Sequence, residues 1–169
     1  MRIVNLIENT EGKTGCVCEH GLSFYVETKK HKLLVDTGAS EAFLENAKKL
    51  DIDLAKVDTV IISHGHYDHT GGLVPFKKIN SKAKTYIQKK AVGAFYNALH
   101  TPEKYIGMDK RIQSLEQVVF VDGDMQIDEE LYLFSNVTGR KYWPSGNLHL
   151  KEKKAGVFIQ DFFRMNSTC

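Results

Sequence analysis

Thr59-Val60-Ile61-Ile62 is an unbroken apolar run that stops abruptly at Ser63-His64-Gly65-His66-Tyr67-Asp68-His69-Thr70-Gly71-Gly72. A short run this rich in β-branched residues reads as a strand buried on both faces. Three imidazoles and a carboxylate therefore leave one strand end together. Imidazole nitrogen and carboxylate oxygen suit zinc, iron and manganese, and His64, His66, Asp68 and His69 are the candidate ligands. A single histidine in such a place would be read as a core or surface residue. Histidines this crowded repel one another as cations unless a metal or an anion accompanies them. Gly65, Gly71 and Gly72 are expected to let the backbone turn tightly around the ions.

A second apolar run, Leu33-Leu34-Val35, ends in Asp36-Thr37-Gly38, which brings another carboxylate to the rim of a sheet. Asp36 is expected to accept a hydrogen bond from a ligand imidazole and fix that ring's tautomer. The alternative is an aspartate that serves only a turn or a helix cap.

Further strands are expected at Arg2 to Ile7, Leu22 to Thr28, Lys32 to Asp36, Lys84 to Gln88, Val118 to Val121 and Leu131 to Ser135. Helical spacing is clearest at Glu41 to Leu50, where Phe43, Leu44, Ala47 and Leu50 share a face and Ser40 is placed to cap. Other helices are expected from about Leu73 to Ile79 and from Lys89 to Leu99. This order of elements is that of an α/β (α+β) sandwich. His31 reads as a solvated turn residue between two strands, and the weakly patterned stretch from His100 to Leu115 as a lid or binding loop.

With 23 basic and 21 acidic residues the formal charge is +2, so neither nucleic acid nor a membrane surface is an expected partner. No apolar run approaches the ~18 residues that span a bilayer, and a cytoplasmic protein is expected. Cys16, Cys18 and Cys169 lack the spacing of a disulfide framework. Cys16 and Cys18 alone offer two of the four ligands a zinc site takes, and alternate residues entering a strand are ordinarily packing.

The motifs LLVDTG and SHGHYDHTGG together resemble the first two motifs of the metallo-β-lactamase superfamily. Glu19-His20-Gly21-Leu22-Ser23-Phe24 and the stretch from Asn46-Ala47 to Asp53 are similar to the branch containing a dihydropterin-ribofuranosylaminobenzene phosphate synthase and many hydrolase-like proteins. The resemblance covers residues 1–161 and leaves 162–169 unmatched. It implies an αββα sandwich in which His64 and His66 hold one metal, Asp68 and His69 the other, and Asp36 supports them. Two zinc ions per complete site are implied, with iron or manganese as substitutes.

By the same resemblance Asp68 is the catalytic carboxylate that orients an attacking hydroxide. His20, Tyr67 and Arg140 are candidate contacts to a small-molecule substrate, phosphorylated compounds included. A complete site in this family also uses a third histidine, a bridging acid and a last histidine further along. Downstream only His100 and His149 remain, and both read as surface residues. The fold is therefore expected to be incomplete at its C-terminus, with marginal stability or self-association as a homo-oligomer through exposed sheet. Three readings follow: a metal-dependent hydrolase or dihydropterin-type synthase relative, a truncated non-catalytic fragment keeping a metal half-site, and an iron-containing redox protein. Cleavage of β-lactams is not expected.

Overall fold

The computed structural model describes residues 1–12, 15–99, 101–135 and 144–162. His100, Arg140 with its neighbours 138–141, and residues 163–169 of the tail lie outside the described residues. The strands are β1 (Arg2–Ile7), β2 (Ser23–Glu27), β3 (Lys32–Val35), β4 (Thr59–Ile62), β5 (Lys84–Gln88), β6 (Phe95–Asn97), β7 (Lys104–Tyr105), β8 (Val118–Val121), β9 (Met125–Gln126), β10 (Tyr132–Leu133), β11 (Leu150–Lys154) and β12 (Val157–Gln160). The helices are α1 (Ala42–Lys49), α2 (Tyr67–Thr70) and α3 (Leu73–Ile79).

Six strands form one sheet in the order β1-β2-β3-β4-β5-β8, and a second sheet runs β12-β11-β6-β7. In the first, β1 to β3 pair antiparallel and β3, β4, β5 and β8 run parallel. β4 lies inside this parallel set, and all four of its residues are buried. Its unbroken apolar character follows, because the pleat sends alternate side chains into two different cores. Val60 and Ile62 join Leu34, Ile87, Phe43 and Phe76 on the helical side. Ile61 packs on the other side with Tyr86, Val121 and Leu133. Phe43 and Phe76 are fully buried, each contributing about 1.5–3 kcal/mol relative to exposure.

α1 sets its apolar face on this core: Phe43 and Ala47 are buried, Leu44 and Leu50 pack at its edge, and Lys48 and Lys49 face water. Ser40 Oγ accepts from the Ala42 amide at 3.1 Å. Asn46 is buried on the same face, where its amide donates to the carbonyls of Leu6 and Val17 and fastens the helix to the N-terminal region.

Three sequence expectations are corrected. The stretch from Lys89 to Leu99 is not a helix: a 3-10 turn covers Lys89–Ala91, and Phe95–Asn97 is β6. Ala91 and Phe95 sit at helical spacing and are both buried, but Gly93 intervenes and the aromatic pair Phe95-Tyr96 ladders onto β11. Of the two roles expected for His100 to Leu115, a lid or a binding loop, the described residues depart from the lid, because they pack on the core as a wall. Ile106, Met108 and Ile112 are buried in the core, and the Ile106 carbonyl accepts from the Tyr67 amide at 2.8 Å.

The third correction is His31, which is not solvated. Its Nδ1 lies 2.9 Å from Asp58 and its Nε2 2.7 Å from Asp128, with the side chain only 15% exposed. Burial lowers its pKa, but the hydrogen bonds and charges of Asp58 and Asp128 outweigh burial and raise it above the usual histidine value. Lys30 and Glu130 also face this turn, through Lys30–Glu129 and Glu130–Thr28 contacts. A raised folded pKa stabilises fully below ~6.5, and that contribution is lost as pH climbs through the folded value. Replacing His31 by Gln should therefore cost on the order of 1 kcal/mol at pH 5.5, discounted for the exposure of both carboxylates, and clearly less at pH 8.5. Urea midpoints at the two pH values check this, and an equal loss at both would refute it.

Candidate metal centre

Parallel strands that leave a sheet side by side bring their C-terminal ends to one rim, and β3 and β4 do so here. At the end of β3, Asp36 turns with φ 56°, a left-handed conformation that aspartate tolerates better than most residues. Its side chain is 1% exposed. One carboxylate oxygen accepts from the Ser63 amide at 2.7 Å, and the other from Ser63 Oγ and His69 Nδ1, each at 2.7 Å. A single buried carboxylate thus joins the two strand ends and holds one imidazole.

The chain then folds back through α2. Thr70 Oγ1 donates to the His66 carbonyl at 2.9 Å, while the Thr37 amide and hydroxyl donate to the His69 carbonyl at 2.8 and 3.0 Å. Both ends of this one-turn helix are tied down, so the side chains of Asp68 and His69 have fixed origins. Gly65 and Gly71 do not have positive φ. What requires glycine there is close approach of backbone: a Cβ at Gly65 would overlap the Ala91 carbonyl, and one at Gly71 the Ala39 carbonyl.

The four expected ligands come together. The His64 ring centroid lies 4.0 Å from that of His69 and 4.7 Å from that of His66. Asp68 Oδ2 is 3.4 Å from His69 Nε2 and 3.4 Å from His20 Nε2. His20 is itself steadied by Asn9, whose side-chain oxygen lies 3.1 Å from His20 Nδ1 and accepts from the Gly21 amide. Burial, followed by the neighbouring His69 and His66, pushes the His64 pKa well below the usual histidine value. For His69, burial acts downward, but the Asp36 hydrogen bond and the charges of Asp36 and Asp68 raise the pKa.

These side chains line a cavity of about 410 Å³ together with Tyr67, Asn97, Lys104, Ile106, Asn147 and Leu150. Lys104 stands 5.8 Å over the Tyr67 ring, a cation–π arrangement. Of the expected substrate contacts, His20 and Tyr67 are at the cavity and Arg140 is outside the described residues. His149 is exposed.

One residue that sequence reasoning missed reaches the site. Asp161 follows β12 and lies 3.0 Å from His66 Nε2, with the two side chains 3% and 5% exposed. The signal was available in the strand Val157–Gln160 followed by a carboxylate, the pattern that had singled out Asp36.

The donor chemistry, several imidazoles with His64 held neutral and carboxylates beside them, fits a divalent transition-metal ion. In the present arrangement His64, His66 and His69 hydrogen-bond to Ser63, Asp161 and Asp36 respectively. Among the described residues no three His, Cys, Asp or Glu side chains already converge around a point that could hold an ion.

Histidine and carboxylate donors gathered at the rim of a mixed sheet define the class, an α/β protein with a candidate metal centre. The chain belongs to the metallo-β-lactamase superfamily, whose family model matches residues 17–150. Its structure resembles that of Tm1679, a metal-dependent hydrolase of the β-lactamase superfamily, with a TM-score of 0.78 and 30% identity over 98% of this chain and 59% of that one. It is similar to 7,8-dihydropterin-6-methyl-4-(beta-D-ribofuranosyl)-aminobenzene-5'-phosphate synthase of Methanocaldococcus jannaschii, 43% identical over 70 residues, or 38% of this chain and 24% of that protein. A UPF0173 metal-dependent hydrolase of Staphylococcus aureus is 30% identical over 93 residues, 53% of this chain and 38% of the relative. The chain thus spans less than two thirds of the length of each. No described helix is long and apolar enough to cross a membrane.

Proposed function

We propose that the chain is a metal-dependent hydrolase acting on a small-molecule ester or phosphoester. The observation that carries this reading is the gathering of His64, His66, Asp68 and His69 at the end of β4, on one cavity, with Asp36 holding His69 from behind. In this reading His64, His66, Asp68 and His69 hold zinc, iron or manganese, one ion or two. A bound ion of this kind supplies Lewis acidity, polarising a substrate oxygen and lowering the pKa of water towards ~7.

The remaining work falls to the chain. Asp68 would orient the attacking water and pass its proton to the leaving oxygen as the ester bond to that oxygen breaks, and His20, 3.4 Å away, keeps that carboxylate in place. Lys104 and the polar side chains of Asn97 and Asn147, all at the cavity, suit a substrate carrying an anionic group. Ile106 and Leu150 form its apolar side and exclude bulk water. The synthase relative supports a phosphorylated substrate of the same class, because its matched 70 residues are 43% identical.

A second reading is a chain that binds metal through a half-site without turnover. It is favoured by the arrangement of the described residues, in which no three His, Cys, Asp or Glu side chains are placed to hold one ion.

Elemental analysis of protein purified without chelator or nickel, alongside His66→Ala and His69→Ala, tests the proposal. Under the hydrolase reading metal co-purifies, each substitution depletes it, and a chelator stops hydrolysis of a p-nitrophenyl phosphate or ester panel. Metal that binds without any chelator-sensitive turnover would leave the half-site reading. No retained metal would overturn both.

A further inference from the structure

Two imidazoles of the centre are gripped from outside by buried carboxylates, and they are gripped by different nitrogens. Asp36 takes Nδ1 of His69 at 2.7 Å, and Asp161 takes Nε2 of His66 at 3.0 Å. The carboxylates come from opposite parts of the chain: Asp36 from the end of β3 in the large sheet, Asp161 from the end of β12 at the edge of the second sheet. We propose that Asp161 is a positioning residue of the metal centre, which fixes His66 as the Nε2–H tautomer and so makes Nδ1 its ligating nitrogen. This rests on the metal reading above.

The chemistry follows from the acceptor-only character of a carboxylate. The ring nitrogen that meets it carries the proton, and the lone pair is left on the other nitrogen. Asp36 therefore commits His69 to Nε2, the nitrogen that lies 3.4 Å from Asp68 Oδ2. Asp161 commits His66 in the opposite sense. A hydrogen-bonded carboxylate also raises the basicity of the ligating nitrogen, and losing such a partner typically weakens metal binding by about 10–100-fold.

Burial makes this grip effective. His66 is 4% and Asp161 2% exposed, so little water competes for Nε2. The Phe95 ring stands edge-on to His66 at 5.4 Å and restricts its rotation. Asp161 also faces a separate cavity of about 440 Å³ lined by Lys90, Val92, Phe95, Glu152 and Phe162 among others. It is thus the wall between that cavity and the centre. Through this contact the β11–β12 hairpin, which also places Leu150 at the cavity, holds a candidate ligand directly.

The test is long-range proton–nitrogen NMR on protein labelled at histidine nitrogen, without metal at pH 8 and with one to two equivalents of zinc, on wild type, Asp161→Asn and Asp161→Ala. In wild type His66 should give the Nε2–H pattern, with Nδ1 the nitrogen that shifts on zinc addition. In Asp161→Asn that pattern should be lost or mixed while His69 keeps its own. Competition against a chromophoric chelator should give a zinc affinity lower by about 10–100-fold. A wild-type His66 that is the Nδ1–H tautomer, or that binds zinc through Nε2, overturns the proposal. So does an Asp161→Asn protein with wild-type affinity and an unchanged His66 pattern. If Asp161→Ala does not fold, the wild-type spectrum and the asparagine variant still decide. If wild type takes up no zinc, the metal reading fails by itself, while the metal-free tautomer still reports whether Asp161 sets the ring.

Discussion

Asp36→Ala is expected to cost about 3–5 kcal/mol of folding stability, on the scale of removing one partner from a buried, hydrogen-bonded charge cluster. The carboxylate is 1% exposed and accepts three bonds of 2.7 Å, from the Ser63 amide, Ser63 Oγ and His69 Nδ1. Alanine leaves these donors facing a void that water does not readily reach, and each orphaned donor costs about 1–3 kcal/mol. It also forces a residue less tolerant of φ 56° onto the turn. Asp36→Asn separates the two roles of the residue. Asparagine accepts the left-handed turn and offers an oxygen to the Ser63 amide, so most stability should return. Its NH2 group, however, can meet His69 only if Nδ1 gives up its proton, which moves the lone pair away from Nε2. The asparagine protein should therefore fold with a stability loss of roughly 1–2 kcal/mol, yet bind metal about 10–100-fold more weakly. Denaturant unfolding and a chelator competition check the two halves. An asparagine variant with wild-type metal affinity would show that Asp36 is only a structural joint between β3 and β4.

What could be read from the chain before its structure was what depends on neighbours in sequence. β4 was legible because Val60, Ile61 and Ile62 are consecutive apolar residues, as a strand buried on both faces of a parallel set requires, and α1 because Phe43 and Ala47 recur at helical spacing. The ligand loop was legible because His64, His66, Asp68 and His69 are packed into six positions. What failed depended on partners far away. His31 is held by Asp128, 97 residues on, and His66 by Asp161, 95 residues on. Neither pairing leaves a local periodicity. The stretch after His100 looked unpatterned because Ile106 and Met108 reach the core from irregular backbone and Ile112 from the 3-10 turn Lys110–Ser114, where neither a period of two nor one of 3.6 applies. β6 misled for a related reason, since Ala91 and Phe95 are buried by separate elements.

Distance in sequence also explains why the loop cannot be judged by its side chains alone. Gly65 lies between His64 and His66, and a Cβ there would overlap the carbonyl oxygen and carbon of Ala91 and crowd its Cα. These are backbone atoms, so no rotamer change relieves the contact. Ala91 is fully buried at the end of the 3-10 turn Lys89–Ala91, and His66 is held by Asp161 and, through its carbonyl, by Thr70. Neither side can yield without disturbing a packed element. Gly65→Ala should cost about 2–3 kcal/mol, the upper part of the range for overpacked sites. The relief available is a shift of the loop by ~1 Å, which carries both histidines with it and should lower any metal-dependent turnover by about 100-fold. Gly146→Ala is the control, because a Cβ there meets nothing within 4 Å and its φ is not positive. It should lie within about 0.5 kcal/mol of wild type. Thermal unfolding of both variants, with zinc titrations on each, reads the difference. If Gly65→Ala melts with Gly146→Ala and binds zinc as tightly, the close approach of the loop to Ala91 is not what holds the ligands in place.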